Sequence, residues 1–296
     1  MMKQIPGGTY LIGTNRPDGF IQDREGPQVQ VTLPTFWIAE TTVTNQRFAA
    51  FVAATNYRTD AARFGWSYVF DYFIDEKIPA ERVPGLQSWR AVPGADWQHP
   101  EGPQTTIHTR LDHPVVHVSR NDALAYCRWS NKRLPTEAEW EVAAKGGTSY
   151  TRYPWGEEFF KDGQHHCNIW QGNFPTSNTQ EDGFANTAPV KTFAPNGYGL
   201  YQMIGNVWEW CANPRAIPLS DFQTISGQTY WQKYQSCDDQ QYAMRGGSFL
   251  CHASYCKRYR IAARNGNSAM STSNNVGFRC VQDKECDDIQ TERATS

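Results

Sequence analysis

Three short segments carry the clearest helical patterns of this 296-residue chain, and all three end by residue 147. TNQRFAAFVAAT places Phe48, Phe51 and Val52 on one face, behind Thr44 as a residue suited to cap the helix start. SRNDALAYCRWSNK and TEAEWEVAAKGG each open with a hydroxyl residue followed three positions later by an acid, the pattern of a capping box. Stretches rich in Gly, Pro and aromatic residues fill most of the remaining chain. The sequence therefore predicts sparse, mixed secondary structure.

Strand patterns are short and few. GGTYLIGT and QVQVTLPTFWI predict two strands near the N-terminus, and NVGFRCV predicts one late strand. Residues 57–112 lack such a pattern and predict a long irregular, aromatic-rich region. No linker separates two cores, so we expect a single domain over residues 1–282. The polar composition of residues 283–296 predicts a disordered tail.

Charge and hydropathy narrow the classes of function. A net charge of −2 gives no basis for binding nucleic acid or an anionic membrane surface. No run of 18 apolar residues predicts a membrane span. The start MMKQIPGGTYLIG lacks the apolar core and cleavage site of a signal peptide, so we expect a cytoplasmic protein, with a trimmed secretory form as the alternative. Eight cysteines are too few for a disulfide scaffold and leave the redox compartment open.

Two cysteines, Cys251 and Cys256, lie in the segment RGGSFLCHASYCKRYR, shortly after two glycines. A spacing of five residues points two side chains apart on a helix and to opposite faces of a strand. The sulfurs therefore meet only in a bent segment, which Gly246 and Gly247 permit. Three chemistries stay open: a disulfide, a soft ion such as Cu(I) between two thiolates, and a thiolate activated by the basic stretch KRYR. The spacing by itself favours a plain disulfide or two buried thiols.

The residues around this pair resemble the active-site segment of the formylglycine-generating enzymes, the sulfatase-modifying factors. RGGSFLCHASYCKRYRIAAR, followed by NNVGFRC, is the most specific part of the likeness. The order of family motifs extends over about residues 5–282, with TTVTNQRFAAFV, HPEGP, DHPVVHVSRNDALAYCRWSNKRLPTEAEWE, YPWGEE, NIWQGNFP, EDGF and APNGYGLYQMIGNVWEW. The resemblance implies an α+β formylglycine-generating-enzyme fold, related to C-type-lectin-like domains, with sparse regular secondary structure.

The resemblance also implies an activity. Enzymes of this family oxidise a cysteine within a Cys-x-Pro-x-Arg motif to Cα-formylglycine, using O₂ and a thiol reductant. The implied partner is an unfolded or nascent sulfatase polypeptide, bound as an extended peptide. Cys251 and Cys256 match the two cysteines that bind Cu(I) and carry the chemistry, and Ser248 and His252 match positions that line the substrate groove. We therefore expect a copper-dependent oxidase.

Two Ca²⁺ sites follow from the same resemblance. In the first, Asn168 and Asp182 would bind through side chains, and Ile169 and Phe184 through backbone carbonyls, which supplies the hard oxygen ligands that Ca²⁺ prefers. Without the resemblance, the acidic side chains would be expected to satisfy loop amides instead. The second site departs from the family pattern at its first residue, a glutamine where Asn or Asp is usual. Its four residues are Gln202, Gly205, Val207 and Glu209.

The other cysteines divide into one matched pair and four without a role. Cys127 and Cys280 match a family disulfide, although a cytosolic protein would keep them as thiols. A second disulfide of some relatives is missing, because Ala144 and Ile261 stand at its two positions. The resemblance assigns no function to Cys167, Cys211, Cys237 and Cys286.

Two rival functions stay open. The same scaffold serves as a non-catalytic peptide- or glycan-binding module, which would have no use for the pair Cys251 and Cys256. An iron-dependent C–S bond-forming enzyme is the other, because His113 and His117 have the spacing of a related iron site. That site needs an acid where Ser119 stands, so we expect both histidines to be ordinary hydrogen-bonded residues.

Overall fold

The computed structural model of the protein describes residues 1–149, 151–223 and 241–283. Four α-helices occur in these ranges: α1 Asn45–Thr55, α2 Asp60–Phe64, α3 Arg120–Trp129 and α4 Glu137–Ala144. Three of them are the predicted helices, with the predicted caps. Thr44 Oγ1 accepts from the backbone N–H of Arg47, and complete capping boxes begin α3 and α4. The local sequence therefore fixes where these helices begin.

The strands are short and form several small sheets. They are β1 Met2–Ile5, β2 Gly8–Ile12, β3 Val29–Leu33, β4 Phe36–Ala39, β5 Trp66–Phe70, β6 Glu81–Val83, β7 Leu86–Pro93, β8 Gly172–Asn173, β9 Ser177–Asn178, β10 Trp208–Pro214, β11 Gln241–Arg245, β12 Asn265–Ser268, β13 Val276–Gly277 and β14 Val281–Gln282. The two sheets that contain the C-terminal strands have the orders β1-β4-β14 and β12-β11-β10-β13. The others have the orders β5-β7-β6, β2-β3 and β8-β9.

Three predictions of secondary structure need correction. QVQVTLPTFWI forms two strands rather than one, because Pro34 lacks the N–H that would continue the ladder. NVGFRCV also divides, since β13 pairs in parallel with β10 whereas β14 pairs antiparallel with β4. Residues 57–112 are not uniformly irregular, because they contain α2 and the three-stranded sheet β5-β7-β6. This last sheet positions part of the candidate site.

The largest hydrophobic cluster contains buried side chains from β1 to β14, from Ile5 to Val281. Aromatic residues supply much of its volume, and Phe48 lies 5.3 Å from the rings of both Phe51 and Trp97. No helix within the described ranges is long and apolar enough to cross a bilayer. Cys237, Cys286 and the rest of the predicted tail after Asp283 lie outside the described residues. Asp283 itself pairs with Arg133 at 2.6 Å.

Candidate active site

The segment after β11 turns sharply at two glycines. Gly246 and Gly247 have φ angles of 95° and 78°, in the left-handed region that favours glycine. A Cβ atom on Gly246 would lie 2.9 Å from the carbonyl oxygen of Met203, and one on Gly247 would lie 3.1 Å from Cα of Tyr259. Both positions therefore need glycine for conformation and for space, and the bend predicted from the sequence is present.

Two tight turns then bring the sulfurs of Cys251 and Cys256 together. The N–H of Cys251 donates to the carbonyl of Ser248 at 2.9 Å, and the N–H of Cys256 donates to the carbonyl of His252 at 2.8 Å. The resulting Sγ–Sγ distance is 2.9 Å. Both residues are buried, yet both line a large cavity. The segment is neither helix nor strand, which is why a five-residue spacing can place two sulfurs in contact.

The two sulfurs differ in their preference for the charged form. Burial raises the pKa of the Cys251 thiol well above its usual range. The hydrogen bond from Cys251 lowers the pKa of Cys256, burial opposes this effect, and Arg258 lowers the pKa further. Cys256 is therefore the more acidic thiol of the pair, and Cys251 donates a hydrogen bond to it.

Carboxylates from the N-terminal loop hold the basic residues beside the pair. Arg258 Nε donates to Asp23 Oδ2 at 2.5 Å, and Arg215 donates to Asp23 Oδ1 at 2.9 Å. Arg260 makes a two-pronged contact with Glu25 at 2.6 and 2.8 Å. Asp23 and Glu25 are each 235 residues from the arginine that they bind in the cysteine segment, and sequence reasoning did not find these pairs.

The cavity beside the sulfurs has a volume of about 630 Å³ and opens to solvent. Its aromatic wall comes from the sheet β5-β7-β6, through Trp66 and Tyr68 of β5 and Trp89 of β7. Its polar wall consists of Asn265, Asn267, Ser271, Thr272, Ser273 and Asn275. The aromatic wall was missed, but the alternation of Trp66 and Tyr68 with the buried Ser67 and Val69 is a strand signal that reveals it.

The two predicted substrate-contacting residues differ in position. Ser248 is buried, lines the cavity and accepts a hydrogen bond from Asn275 Nδ2 at 3.1 Å. His252 does not belong to the cavity lining among the described residues. Its ring stacks on Phe174 and its Nδ1 lies 2.8 Å from Ser254 Oγ. The structure therefore brings Ser248 to the cysteine pair and leaves His252 beside a neighbouring aromatic surface.

The first predicted Ca²⁺ site contains an unsatisfied buried oxygen. Asn168 is 1% exposed, its Nδ2 donates to the carbonyl of Asn186, and its Oδ1 has no hydrogen-bond partner within the described part of the chain. Asp182 Oδ2 accepts from the N–H of Ile169 at 3.2 Å, and burial raises the pKa of this carboxyl. A cation with oxygen ligands would give Asn168 Oδ1 a partner and would compensate the negative charge of Asp182. The residues therefore fit the predicted ion.

The second predicted Ca²⁺ site is less open to a cation. Gln202 Oε1 is buried without a hydrogen-bond partner among the described residues, as a ligand oxygen would be. The carboxylate of Glu209, however, already accepts from Arg279 at 2.6 and 2.7 Å and from Trp140 Nε1 at 2.8 Å. Arg279 balances its charge, so this site stays a prediction with one supporting atom.

Cys127 and Cys280 face each other in the core. Both are buried, and their sulfurs lie 3.5 Å apart as thiols in contact. The contact joins α3 to the segment just before β14, so the predicted pairing stays available to oxidation. Ala144 and Ile261 are buried in the same cluster and fill the positions of the missing disulfide with apolar side chains.

The histidine pair has ordinary partners, as expected. His117 is fully buried, with Nδ1 2.7 Å from Ser67 Oγ and Nε2 2.7 Å from the carbonyl oxygen of Pro100. His113 Nδ1 lies 3.0 Å from Thr187 Oγ1. Within the described ranges, no three His, Cys, Asp or Glu side chains cluster as a metal site. Both imidazoles therefore have ordinary hydrogen-bond partners.

The chain is similar to several known proteins. The family model of a sulfatase-modifying factor enzyme 1-like domain matches residues 1–284. A formylglycine-generating enzyme of Thermomonospora curvata is 52% identical over 284 residues, which cover 95% of this chain and 93% of that protein. A Bos taurus protein named inactive C-alpha-formylglycine-generating enzyme 2 is 43% identical over 286 residues, covering 95% and 87%. PvdO from Pseudomonas aeruginosa aligns with a TM-score of 0.66 at 24% identity, covering 95% and 93%, which confirms the predicted fold.

Proposed function

Because the chain belongs to the sulfatase-modifying factor family, we propose that it is an oxidative enzyme that converts a sulfatase cysteine to Cα-formylglycine. One relative is named inactive, so family membership does not decide activity by itself. The observation that carries the proposal is the pair Cys251 and Cys256, with sulfurs 2.9 Å apart at the wall of a large open cavity. A binding module on this scaffold would have no need for such a pair.

The cofactor we propose for this pair is Cu(I). Two sulfur donors in contact, one of them favoured as a thiolate, form a soft ligand set, and soft thiolates select Cu(I) among the available metals. When bound, copper would supply the activation of O₂ that the side chains of the protein cannot perform. The protein contributes a partly buried site, a fixed pair of donors and access from one side.

The surrounding residues have distinct roles in this proposal. Arg258 lies beside Cys256 and favours its thiolate form, while Asp23 fixes the guanidinium. The polar wall, with Ser248 and Asn275, offers hydrogen bonds to the backbone of an extended peptide. The aromatic wall excludes water and packs against the peptide's apolar atoms. A sulfatase segment containing Cys-x-Pro-x-Arg would therefore enter the cavity with its thiol directed to the two sulfurs.

The overall reaction balances with O₂ and an external thiol reductant. The Cβ of the substrate cysteine is oxidised by two electrons, and its sulfur leaves as hydrogen sulfide when water supplies the aldehyde oxygen. O₂ accepts four electrons and becomes two water molecules, one of which replaces the water consumed. Two of these electrons come from the substrate and two from the reductant, which becomes a disulfide.

The test is a peptide assay with and without copper. The protein is incubated with a peptide that contains Cys-Thr-Pro-Ser-Arg, together with Cu(I), air and a thiol reductant, and the aldehyde is measured by mass spectrometry. A matched peptide with serine in place of the cysteine is the control. We expect aldehyde only from the cysteine peptide and only with copper. Peptide binding without aldehyde under any of these conditions would instead favour the binding-module function.

Removal of the positive charge beside Cys256 is expected to weaken copper binding. Arg258→Met keeps most of the side-chain volume but no longer favours the thiolate, so we expect the affinity for Cu(I) to fall by about tenfold to a hundredfold. Competition with a coloured Cu(I) chelator measures this change. Arg215→Met is the matched control, because Arg215 pairs with the same Asp23 carboxylate. Equal losses in the two variants would contradict a specific role for Arg258.

We also propose that Asn168, Ile169, Asp182 and Phe184 bind Ca²⁺. Asp182→Asn is then expected to remove the Ca²⁺-dependent part of the melting temperature, a loss of about 2–4 °C for a chain of this size. Thermal unfolding in Ca²⁺ and in chelator measures it. Glu181→Gln is the control, since Glu181 is an exposed acid next to the site. A Ca²⁺ response that Asp182→Asn leaves intact would refute the site.

A further inference from the structure

A much smaller cavity, separate from the one beside the cysteine pair (the catalytic cavity), is lined by residues with unsatisfied buried oxygens. It has a volume of about 10 Å³, room for one water-sized particle, between the start of α1, the HPEGP segment and the loop before β13. Three of its lining residues each have a buried side-chain oxygen without a hydrogen-bond partner within the described part of the chain: Asn45 Oδ1, Glu101 Oε2 and Asn274 Oδ1. Their residues are 2%, 8% and 4% exposed. We call this space the oxygen cavity.

Existing hydrogen bonds fix the direction of two of these oxygens. Asn45 Nδ2 donates to the carbonyl of Arg110 at 2.8 Å, and since a carbonyl only accepts, the amide oxygen must be the free atom. Glu101 Oε1 accepts from Arg110 at 2.5 Å and from Asn186 at 3.1 Å, which leaves Oε2 for the cavity. Both oxygens are left without a donor in the described part of the chain.

Three buried acceptors need an occupant that can satisfy all of them. Leaving each acceptor without a partner carries the full cost of removing it from water. A water molecule donates only two hydrogen bonds, so one oxygen would stay unsatisfied. A hard cation accepts carboxylate and amide oxygens together. Because Arg110 already balances Glu101, the cavity carries little net negative charge, which favours a single positive charge over two.

We propose that the oxygen cavity, lined by Asn45, Glu101 and Asn274, binds a monovalent hard cation, Na⁺ or K⁺. The ion would join α1 and the HPEGP segment to the loop that precedes β13. The next residue of that loop, Asn275, donates to Ser248 Oγ at 3.1 Å and accepts from Ser273 Oγ at 2.8 Å. All three of these residues line the catalytic cavity. The ion would thus hold the polar wall in place, without touching the sulfurs.

Thermal unfolding in three chloride salts tests the proposal. The full chain is unfolded in NaCl, KCl and tetramethylammonium chloride at equal ionic strength, with Ca²⁺ saturating throughout so that Ca²⁺ sites do not respond. We expect the melting temperature in at least one metal salt to exceed that in the organic salt by about 3 °C. The larger of the two responses identifies the ion. Equal melting temperatures in all three salts would overturn the proposal.

Substitutions at the third oxygen locate the response. Asn274→Ala should abolish the difference between metal and organic salts, whereas Asp182→Asn should keep it. Asn274→Asp should enlarge it, because a carboxylate binds a cation more tightly than an amide does. If the cavity holds only water, Asn274→Asp buries a second carboxylate near Glu101 and lowers the melting temperature equally in every salt. That outcome, or an unchanged salt response in Asn274→Ala, would refute the site.

Discussion

Alanine at either Cys251 or Cys256 is expected to abolish aldehyde production, with a loss of about a thousandfold or more for each single variant. The two sulfurs act as one unit, since they lie 2.9 Å apart and Cys251 donates a hydrogen bond to Cys256. One remaining thiol supplies half of the soft ligand set, so it neither retains Cu(I) nor positions a substrate thiol beside it. The loss in the double variant should therefore equal that in each single variant. The peptide assay measures turnover, and copper analysis of the purified protein measures uptake.

Cys211→Ala is the matched control for this pair. Cys211 is also fully buried, but it lies in β10 and does not line the catalytic cavity. Its removal should leave one Cu(I) per chain and nearly unchanged turnover. Full activity in Cys251→Ala or in Cys256→Ala would refute the proposed function, whatever the control shows. If one of these two variants retained copper but lost turnover, the cysteine substituted in it would be needed for the chemistry and not for copper binding.

Local sequence predicts the helices because their signals are local. Thr44, Ser119 and Thr136 each satisfy backbone N–H groups within three residues, and nothing distant is needed to fix those starts. The bend at Gly246 and Gly247 was predictable for a similar reason, since only a turn permits two sulfurs at this spacing to meet. The family resemblance then ranked copper above a disulfide, which spacing alone did not.

Features that depend on distant partners were not predictable. The basic stretch KRYR was expected beside the cysteine pair, but nothing in the sequence links it to Asp23, which is 3% exposed and fixes the guanidinium of Arg258. The division of NVGFRCV into β13 and β14 follows from pairing with β10 and β4, strands about 70 and 240 residues away. The alternating pattern of β5 could have predicted a strand with one aromatic face. That this face lines the cavity depends on where β5 packs, which the local sequence does not show.

The buried charges around α4 lead to the largest expected effect on stability. Glu137 is 1% exposed and accepts two hydrogen bonds from Arg264, at 2.9 and 2.7 Å, and one from Arg245 at 3.3 Å. Asn213 Nδ2 donates to it as well, at 2.9 Å. Both arginines are fully buried, and the cluster joins α4 to β11 and to the loop before β12. Glu137 thus compensates the guanidinium of Arg264 and shares that of Arg245 with Glu141, which accepts from it at 2.6 Å.

Glu137→Gln is therefore expected to lower the free energy of unfolding by about 3–5 kcal/mol, because it leaves buried positive charge uncompensated. Burial alone would raise the pKa of Glu137, but Arg264 and Arg245 lower it below its usual value. The charge-dependent stability is thus complete above the pKa of the unfolded chain and is lost as pH falls through the lower folded pKa. Urea unfolding of the wild type and of Glu137→Gln, at neutral pH and at acid pH, measures the difference in their free energies of unfolding. This difference should become smaller only at acid pH.

Glu157→Ala is the control. It removes the exposed partner of Arg16 and should lower the free energy of unfolding by less than about 1 kcal/mol. A similarly small loss for Glu137→Gln would mean that the buried arginines find other partners, and the cluster would then not account for the stability of this part of the fold.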